Sequence, residues 1–427
     1  MSELRTAPVN LLSVISGELL LRVANFAVAV LIGRIYGPAA LGVFAAIIAV
    51  VTVAERLADN GLEMAGIAEA SMDSSSIAHV ASALYANKSV LSVLALVVLA
   101  GIGWLAKLPR IEWTVAGILT LRAFLYSYSR LHAGLLKALN KMNLIARCQA
   151  VHFLVLVTGV LVASTRKWGL VSLLLSLLVA QFIEYILSLR YLRKSGIRAR
   201  PVPLQYCWKQ LTRSTPVGVV YSISNLALRG DVLVLSILVP AGVLGTFAAA
   251  NMGLVLMYVV AWLFGGVLLS DMARLSTNSP ALAGFFSKCV RRILLTTIPA
   301  ALVAALIAPW AVRAVFGKNL AAAALPATVM ASAIPFLFLN AAYLSRAIAC
   351  NALQVFLTIV GIATAFSLAL NFILGSWYGP TGVACSIVIR EAGMALAFFL
   401  HARMNAPPMQ TESPLGAGAE ITGLMDT

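Results

Sequence analysis

Apolar stretches of about 20 residues recur from one end of the chain to the other, separated by short segments that carry glycine, proline or charge. Each is long enough to cross a hydrocarbon core of about 30 Å as a helix. Twelve such spans are read at 10–33, 39–56, 79–106, 112–136, 144–164, 168–190, 214–239, 243–269, 290–310, 321–345, 350–374 and 380–401. The connections include Gly33-Arg34-Ile35-Tyr36-Gly37-Pro38, Leu108-Pro109-Arg110 and Trp377-Tyr378-Gly379-Pro380, where glycine and proline supply turn geometry. Connections this short make sequential helices pack antiparallel. The first span is interrupted by Glu18 and Arg22, which a cleaved secretory signal does not tolerate, so it reads as an uncleaved helix.

Composition agrees with lipid as the solvent. Of 427 residues 61% are hydrophobic and 11% charged, against about 45–50% and 25% in a soluble domain, and the mean hydropathy is +0.96. The predicted fold class is an all-α polytopic membrane protein. Lys and Arg gather in alternate connections: Arg5, Arg56, Lys137, Lys141, Arg147, the stretch from Arg190 to Arg213, Arg274, Lys288, Arg291, Arg292, Arg346 and Arg403. The positive-inside rule puts these, and both termini, in the cytoplasm. Most of the formal charge of +16 is therefore orientation signal and attraction to anionic headgroups rather than a nucleic-acid footprint. Five scattered cysteines and four histidines form no disulfide or metal-ligand spacing, so no metal or cofactor is expected. Helix-end or interfacial positions are expected for His79, His132, His152 and His401.

The basic stretch near the midpoint divides the chain into a six-helix lobe over 1–192, a linker over 193–213 and a second six-helix lobe over 214–403, with a disordered tail over 404–427. The halves repeat. Pro38-Ala39-Ala40-Leu41-Gly42-Val43-Phe44-Ala45-Ala46 returns, with one insertion, as Pro240-Ala241-Gly242-Val243-Leu244-Gly245-Thr246-Phe247-Ala248-Ala249. Leu136-Lys137-Ala138 returns as Ser345-Arg346-Ala347, and Trp168-Gly169 as Tyr378-Gly379. An even number of helices per unit relates the lobes by an axis along the membrane normal.

The glycine-centred segments Gly33 to Phe44, Leu244-Gly245-Thr246-Phe247 behind Asp231, Val315-Phe316-Gly317 and Trp377 to Ala384 resemble those of the multidrug/oligosaccharidyl-lipid/polysaccharide exporter superfamily, and within it the Wzx-like flippases. The resemblance implies two lobes around a central cavity, alternating access in a bacterial inner membrane, and a polyprenyl-diphosphate-linked glycan as cargo for O-antigen, capsule or exopolysaccharide synthesis. It also implies a polysaccharide polymerase and glycosyltransferases as partners.

Ionisable residues inside spans are costly and tend to face a cavity or a counter-charge. Arg22, Arg122, Arg130, Arg229 and Arg390 are the candidate substrate-binding residues, since a guanidinium fork matches diphosphate oxygens. Glu18 and Asp231 are candidates for ion coupling or charge pairing. Arg122, Tyr126 and Arg130 form a stripe at four-residue steps, while Lys88, Arg130 and Glu184 lie where they could also snorkel to the inner surface. A multidrug antiporter of the same superfamily is the alternative, but its cations favour acidic and aromatic walls. A membrane glycan polymerase or ligase is a further alternative. It needs an outward loop with catalytic groups, and the outward connections here are short and nearly free of acids and histidines. The chain is thus read as a transporter rather than an enzyme.

Overall fold

The computed structural model describes residues 21–63, 77–105, 110–139, 141–166, 168–197, 200–275, 279–350 and 352–404. Glu18 and the tail beyond 404 lie outside them. The described residues are helical almost throughout and include no strand. Helix α1 covers residues 21–31 and passes through a π turn, Ile32–Tyr36, into α2, Gly37–Asp59. There follow α3 (Ile77–Leu105), α4 (Arg110–Ala138), α5 (Met142–Thr165), α6 (Leu170–Lys194), α7 (Leu204–Leu238), α8 (Ala241–Leu275) and α9 (Ser279–Phe316). The chain ends in α10 (Ala324–Ala331), α11 (Ile334–Ala349) and α12 (Leu353–Met404).

Helix length converts these elements into crossings. The 39-residue run Leu21–Asp59 would be about 58 Å long if straight, twice a hydrocarbon core. It is two crossings joined at Gly37, whose φ of 83° breaks the helix where proline follows. Helix α12 divides the same way at Gly379, φ 56° and ψ −134°, just before Pro380. Helices α10 and α11 meet at a 48° bend and make one broken crossing. Counted with α4 and α7, each long enough to cross, these elements match the twelve crossings read from the sequence, the first of which is described only from residue 21.

The largest departures from the sequence reading are in α7 and α9. Helix α7 starts at Leu204, not 214, because residues 204–214 form about three amphipathic turns that bury Cys207, Gln210 and Ser214 and expose Leu204 and Trp208. Asn87 of α3 donates a hydrogen bond to the Cys207 carbonyl at 2.8 Å, fixing this extension to the first half of the chain. Helix α9 likewise runs past both predicted ends, from Ser279 to Phe316. It contains Pro299 and Pro309. Pro309 has no N–H for the Ala305 carbonyl; the Thr328 hydroxyl of α10 lies 3.4 Å from that carbonyl and 3.0 Å from the Ala324 carbonyl of its own helix.

The internal repeat has a physical counterpart at the junction of the halves. Gly42 of α2 lies directly against the Ala241 carbonyl and Gly245 of α8, and Gly245 lies against the Pro38 carbonyl and Gly42. The two glycines that the repeat aligns therefore touch each other, as they must if the pseudo-twofold axis passes between them. Neither position has room for a Cβ. At the other end of α2, Asn60 and Gly61 lie against Ser214 and Gly218 of α7, and Asn60 Nδ2 donates to Thr215 Oγ1 at 2.9 Å. Asn60 and Gly61 both have left-handed backbone, φ 42° and 71°, which only residues of this kind adopt cheaply. Helix α2 thus joins the two halves by a backbone contact at each of its ends.

Candidate functional site

The first half of the chain carries a ladder of acids that the sequence reading passed over. Glu55, Asp59 and Glu63 follow one another at four-residue steps and are all buried. Each acid meets a cation. Lys88 Nζ of α3 bonds Asp59 Oδ1 at 2.5 Å. Arg130 of α4 grips Glu63 with both forks, Nε to Oε2 at 2.9 Å and Nη2 to Oε1 at 3.0 Å. Glu55 lies 3.7 Å from Arg56. The four-residue spacing of the acids was a readable signal.

Lys88 and Glu184 do not snorkel. Lys88 is 1% exposed and Glu184 9%, because burial against a counter-charge on another helix replaces the water that snorkelling would reach. Glu184 of α6 accepts from His152 Nδ1 of α5 at 2.6 Å and from Gln181 Nε2 at 3.0 Å. The interfacial placement expected of the histidines is wrong for two of them. His132 and His152 are 0% and 2% exposed, and His132 Nδ1 meets Ser188 Oγ at 2.7 Å. The polar interior of α4, α5 and α6 offers ring partners that an isolated apolar helix does not.

Among the described residues the second half holds a knot of charge around Arg390. Arg390 of α12 reaches both Asp231 oxygens of α7 at 3.3 Å, the Ala227 carbonyl at 2.7 Å, Glu391 Oε1 at 3.1 Å and the Tyr258 hydroxyl of α8 at 2.9 Å. Tyr258 donates to Glu391 at 2.6 Å, Asn340 of α11 donates to Glu391 at 2.9 Å, and Asn371 donates to Asp231 at 2.7 Å. Every guanidinium nitrogen of Arg390 is engaged within its own lobe. The geometry makes Asp231 a charge partner of Arg390.

Arg22, Arg122 and Arg229 stand differently. Asp231 turns into its lobe, whereas Arg229, two residues earlier and so on another face, lies close enough to Arg22 of α1 for their like charges to repel. Each comes from the first helix of its half. Arg122 of α4 donates from Nη2 to Asn25 Oδ1 of α1 at 2.7 Å, one turn from Arg22. Its buried Nε makes no hydrogen bond among the described residues, and Tyr126 and Glu184 lie within Coulombic reach of it. So Arg122 and Arg229 both approach α1 near Arg22, while the forks of Arg130 and Arg390 close on acids. Among the described residues no group of three His, Cys, Asp or Glu is arranged to hold a metal.

The sequence model of the polysaccharide biosynthesis protein family matches residues 9–275. Solved structures share the fold across nearly the whole chain. The lipid II flippase MurJ in an inward closed conformation is 16% identical, covers 91% of this chain and 87% of its own, and superposes with a TM-score of 0.77. An inward-facing multidrug resistance MATE family transporter of the MOP superfamily is 16% identical over 89% of this chain and 93% of its own, at a TM-score of 0.67. A MOP superfamily transporter from Pyrococcus furiosus, whose binding pocket of reverse polarity suggests a different function for it, is 14% identical over 92% and 93%, at 0.65. No curated protein matches the chain by sequence.

Proposed function

Because the chain belongs to the polysaccharide biosynthesis protein family, we propose that it is a flippase carrying a polyprenyl-diphosphate-linked oligosaccharide from the cytoplasmic to the outer leaflet of a bacterial inner membrane. The observation that carries this reading is Arg122, which bonds Asn25 of α1 one turn from Arg22 and keeps a buried Nε without a hydrogen bond among the described residues, with Arg229 of the other half in Coulombic range of Arg22. A diphosphate supplies several anionic oxygens in a geometry that arginine forks match. Cationic drugs would meet the wrong sign of charge here. The prenyl chain can stay in lipid while the headgroup crosses, so transport requires no covalent step and no cofactor. The lobes rock, parting the α2 contacts at one end and then at the other, and so expose the arginines to one leaflet and then the other.

Deletion of the gene tests the reading. The diphosphate-linked unit should accumulate on the cytoplasmic leaflet and surface glycan should fall to background; normal surface glycan in the deletion strain counts decisively against a flippase. Arg22→Ala and Arg229→Ala should each weaken export, and in a double-mutant cycle they should couple by about 0.5–3 kcal/mol because they share one ligand. Strict additivity would mean that the two residues serve separate roles.

The Lys/Arg asymmetry supports cytoplasmic termini. Trp168 and Leu204 are both exposed and lie on opposite faces in that topology. In a chain whose own cysteines are replaced, an impermeant thiol reagent added to whole cells should label Trp168→Cys and spare Leu204→Cys. The reverse pattern would invert the protein in the membrane.

A further inference from the structure

Next to the arginines lies a cavity of about 260 Å³ bounded by Phe26 of α1, Gly253 and Met257 of α8, Ala308 and Ala311 of α9, and Ala331 of α10, and lined entirely by apolar residues and glycine. It exceeds the ~150 Å³ of an apolar cavity that binds benzene. Phe26 stands one helical turn from Arg22, on the same face of α1. The cavity therefore begins where the cationic site ends. Its outer wall is thin: Ala304, Ala308 and Ala311 face inward along α9, while Leu306 and Trp310, 81% and 71% exposed, cover the opposite face toward lipid. Pro309 lies in α9 at this level, where the Ala305 carbonyl has no intrahelical donor.

We propose that this cavity receives the isoprene units nearest the diphosphate while the diphosphate lies between Arg22 and Arg229; the inference rests on the flippase reading and assigns a place to the cargo's lipid. A cationic pair continuous with a wide, wholly apolar space matches an amphiphile whose charged head is joined directly to a bulky chain. A methyl-branched isoprenoid fills an alanine-walled space more completely than a straight acyl chain, and unfilled wall atoms forfeit dispersion contacts. Lipid is as apolar as the cavity, so the gain is contact and register rather than expulsion of water. The site would hold the head at a defined depth as the lobes move.

The test uses the intact protein in lipid nanodiscs with farnesyl diphosphate bearing a diazirine on its chain. Illumination should label residues of α8, α9 and α10 that line the cavity, and unlabelled farnesyl diphosphate should compete. Ala308→Trp fills the space and should cut labelling by about five-fold or more. Gly253→Leu fills it from the opposite wall, where a Cβ meets nothing within 4 Å, and should act alike. Leu306→Trp, on the lipid face, should change little. Undiminished labelling in both filled variants, with farnesyl diphosphate still bound, overturns the cavity assignment and leaves the flippase reading standing. Equal labelling by a straight-chain alkyl diphosphate overturns the isoprenoid assignment. Failure of the intact protein to bind farnesyl diphosphate at all overturns both.

Discussion

Leucine in place of Gly42 or Gly245 should abolish glycan export without removing the protein from the membrane. A Cβ at either glycine is driven into backbone of the facing helix, Ala241 for Gly42 and Pro38 for Gly245. Backbone cannot rotate away as a side chain can, so the outer ends of α2 and α8 must separate. An overpacking cost of about 1–3 kcal/mol against the touching state corresponds to roughly 5- to 150-fold in the equilibrium between states. Gly218→Leu acts at the opposite end of α2, against Asn60, and should shift the equilibrium the other way. The measurement is thiol accessibility of cysteines placed in the arginine cavity, probed from each side of the membrane. Gly245→Leu should raise labelling from outside and Gly218→Leu from inside; identical patterns in the two variants would mean that these contacts are not the ones that part during transport.

Arg390→Gln should cost the protein more than loss of any cavity arginine. It leaves Asp231 and Glu391 buried on neighbouring helices with no cation between them, and breaking a buried pair from one side costs about 3–5 kcal/mol. Both acids are under 4% exposed. The expected result is little protein in the membrane fraction and a sharply lowered unfolding temperature in detergent. Neutralising all three positions, with Asp231→Asn and Glu391→Gln added, should restore most of the amount, since asparagine and glutamine keep the hydrogen-bonding capacity without charge. Equal abundance of Arg390→Gln and the intact protein would show that the knot does not hold the lobe together. Arg122→Ala should behave differently, lowering export with the amount unchanged, because Arg122 bonds the neutral Asn25 and its loss strips no acid of a hydrogen-bonded cation.

The crossings were legible because hydrocarbon imposes length and apolarity on every segment, and because glycine and proline sit at the breaks, as at Gly37 and Gly379. The repeat was legible for a related reason. Gly42 and Gly245 occupy a backbone contact that tolerates no side chain, so the duplicated unit retains a recognisable signature there. The division of the arginines was not legible. Arg122 and Arg130 share a stripe on α4 and look equivalent in sequence, yet Arg130 is claimed by Glu63, 67 positions away, and Arg122 bonds Asn25, 97 positions away. Periodicity reports which residues share a face and is silent about what lies opposite. His152 and Glu184 escaped for the same reason, each having its charged or ring counterpart on the neighbouring helix. Asp231 and Arg229 were separable from spacing alone, since two residues along a helix cannot point the same way.

The knot in the second lobe also sets a timetable for synthesis. Asp231 and Arg390 are 159 positions apart, and at about 5–20 residues per second the ribosome needs roughly 8–30 s to cover that distance. During this interval α7 has left the ribosome carrying a carboxylate whose counter-charge has not yet been translated. The last crossing of α12 is therefore the one that completes the lobe electrostatically. A nascent chain stopped short of it exposes an acid to lipid or to a waiting insertase, and a membrane protease that senses such a charge could separate unfinished chains from finished ones.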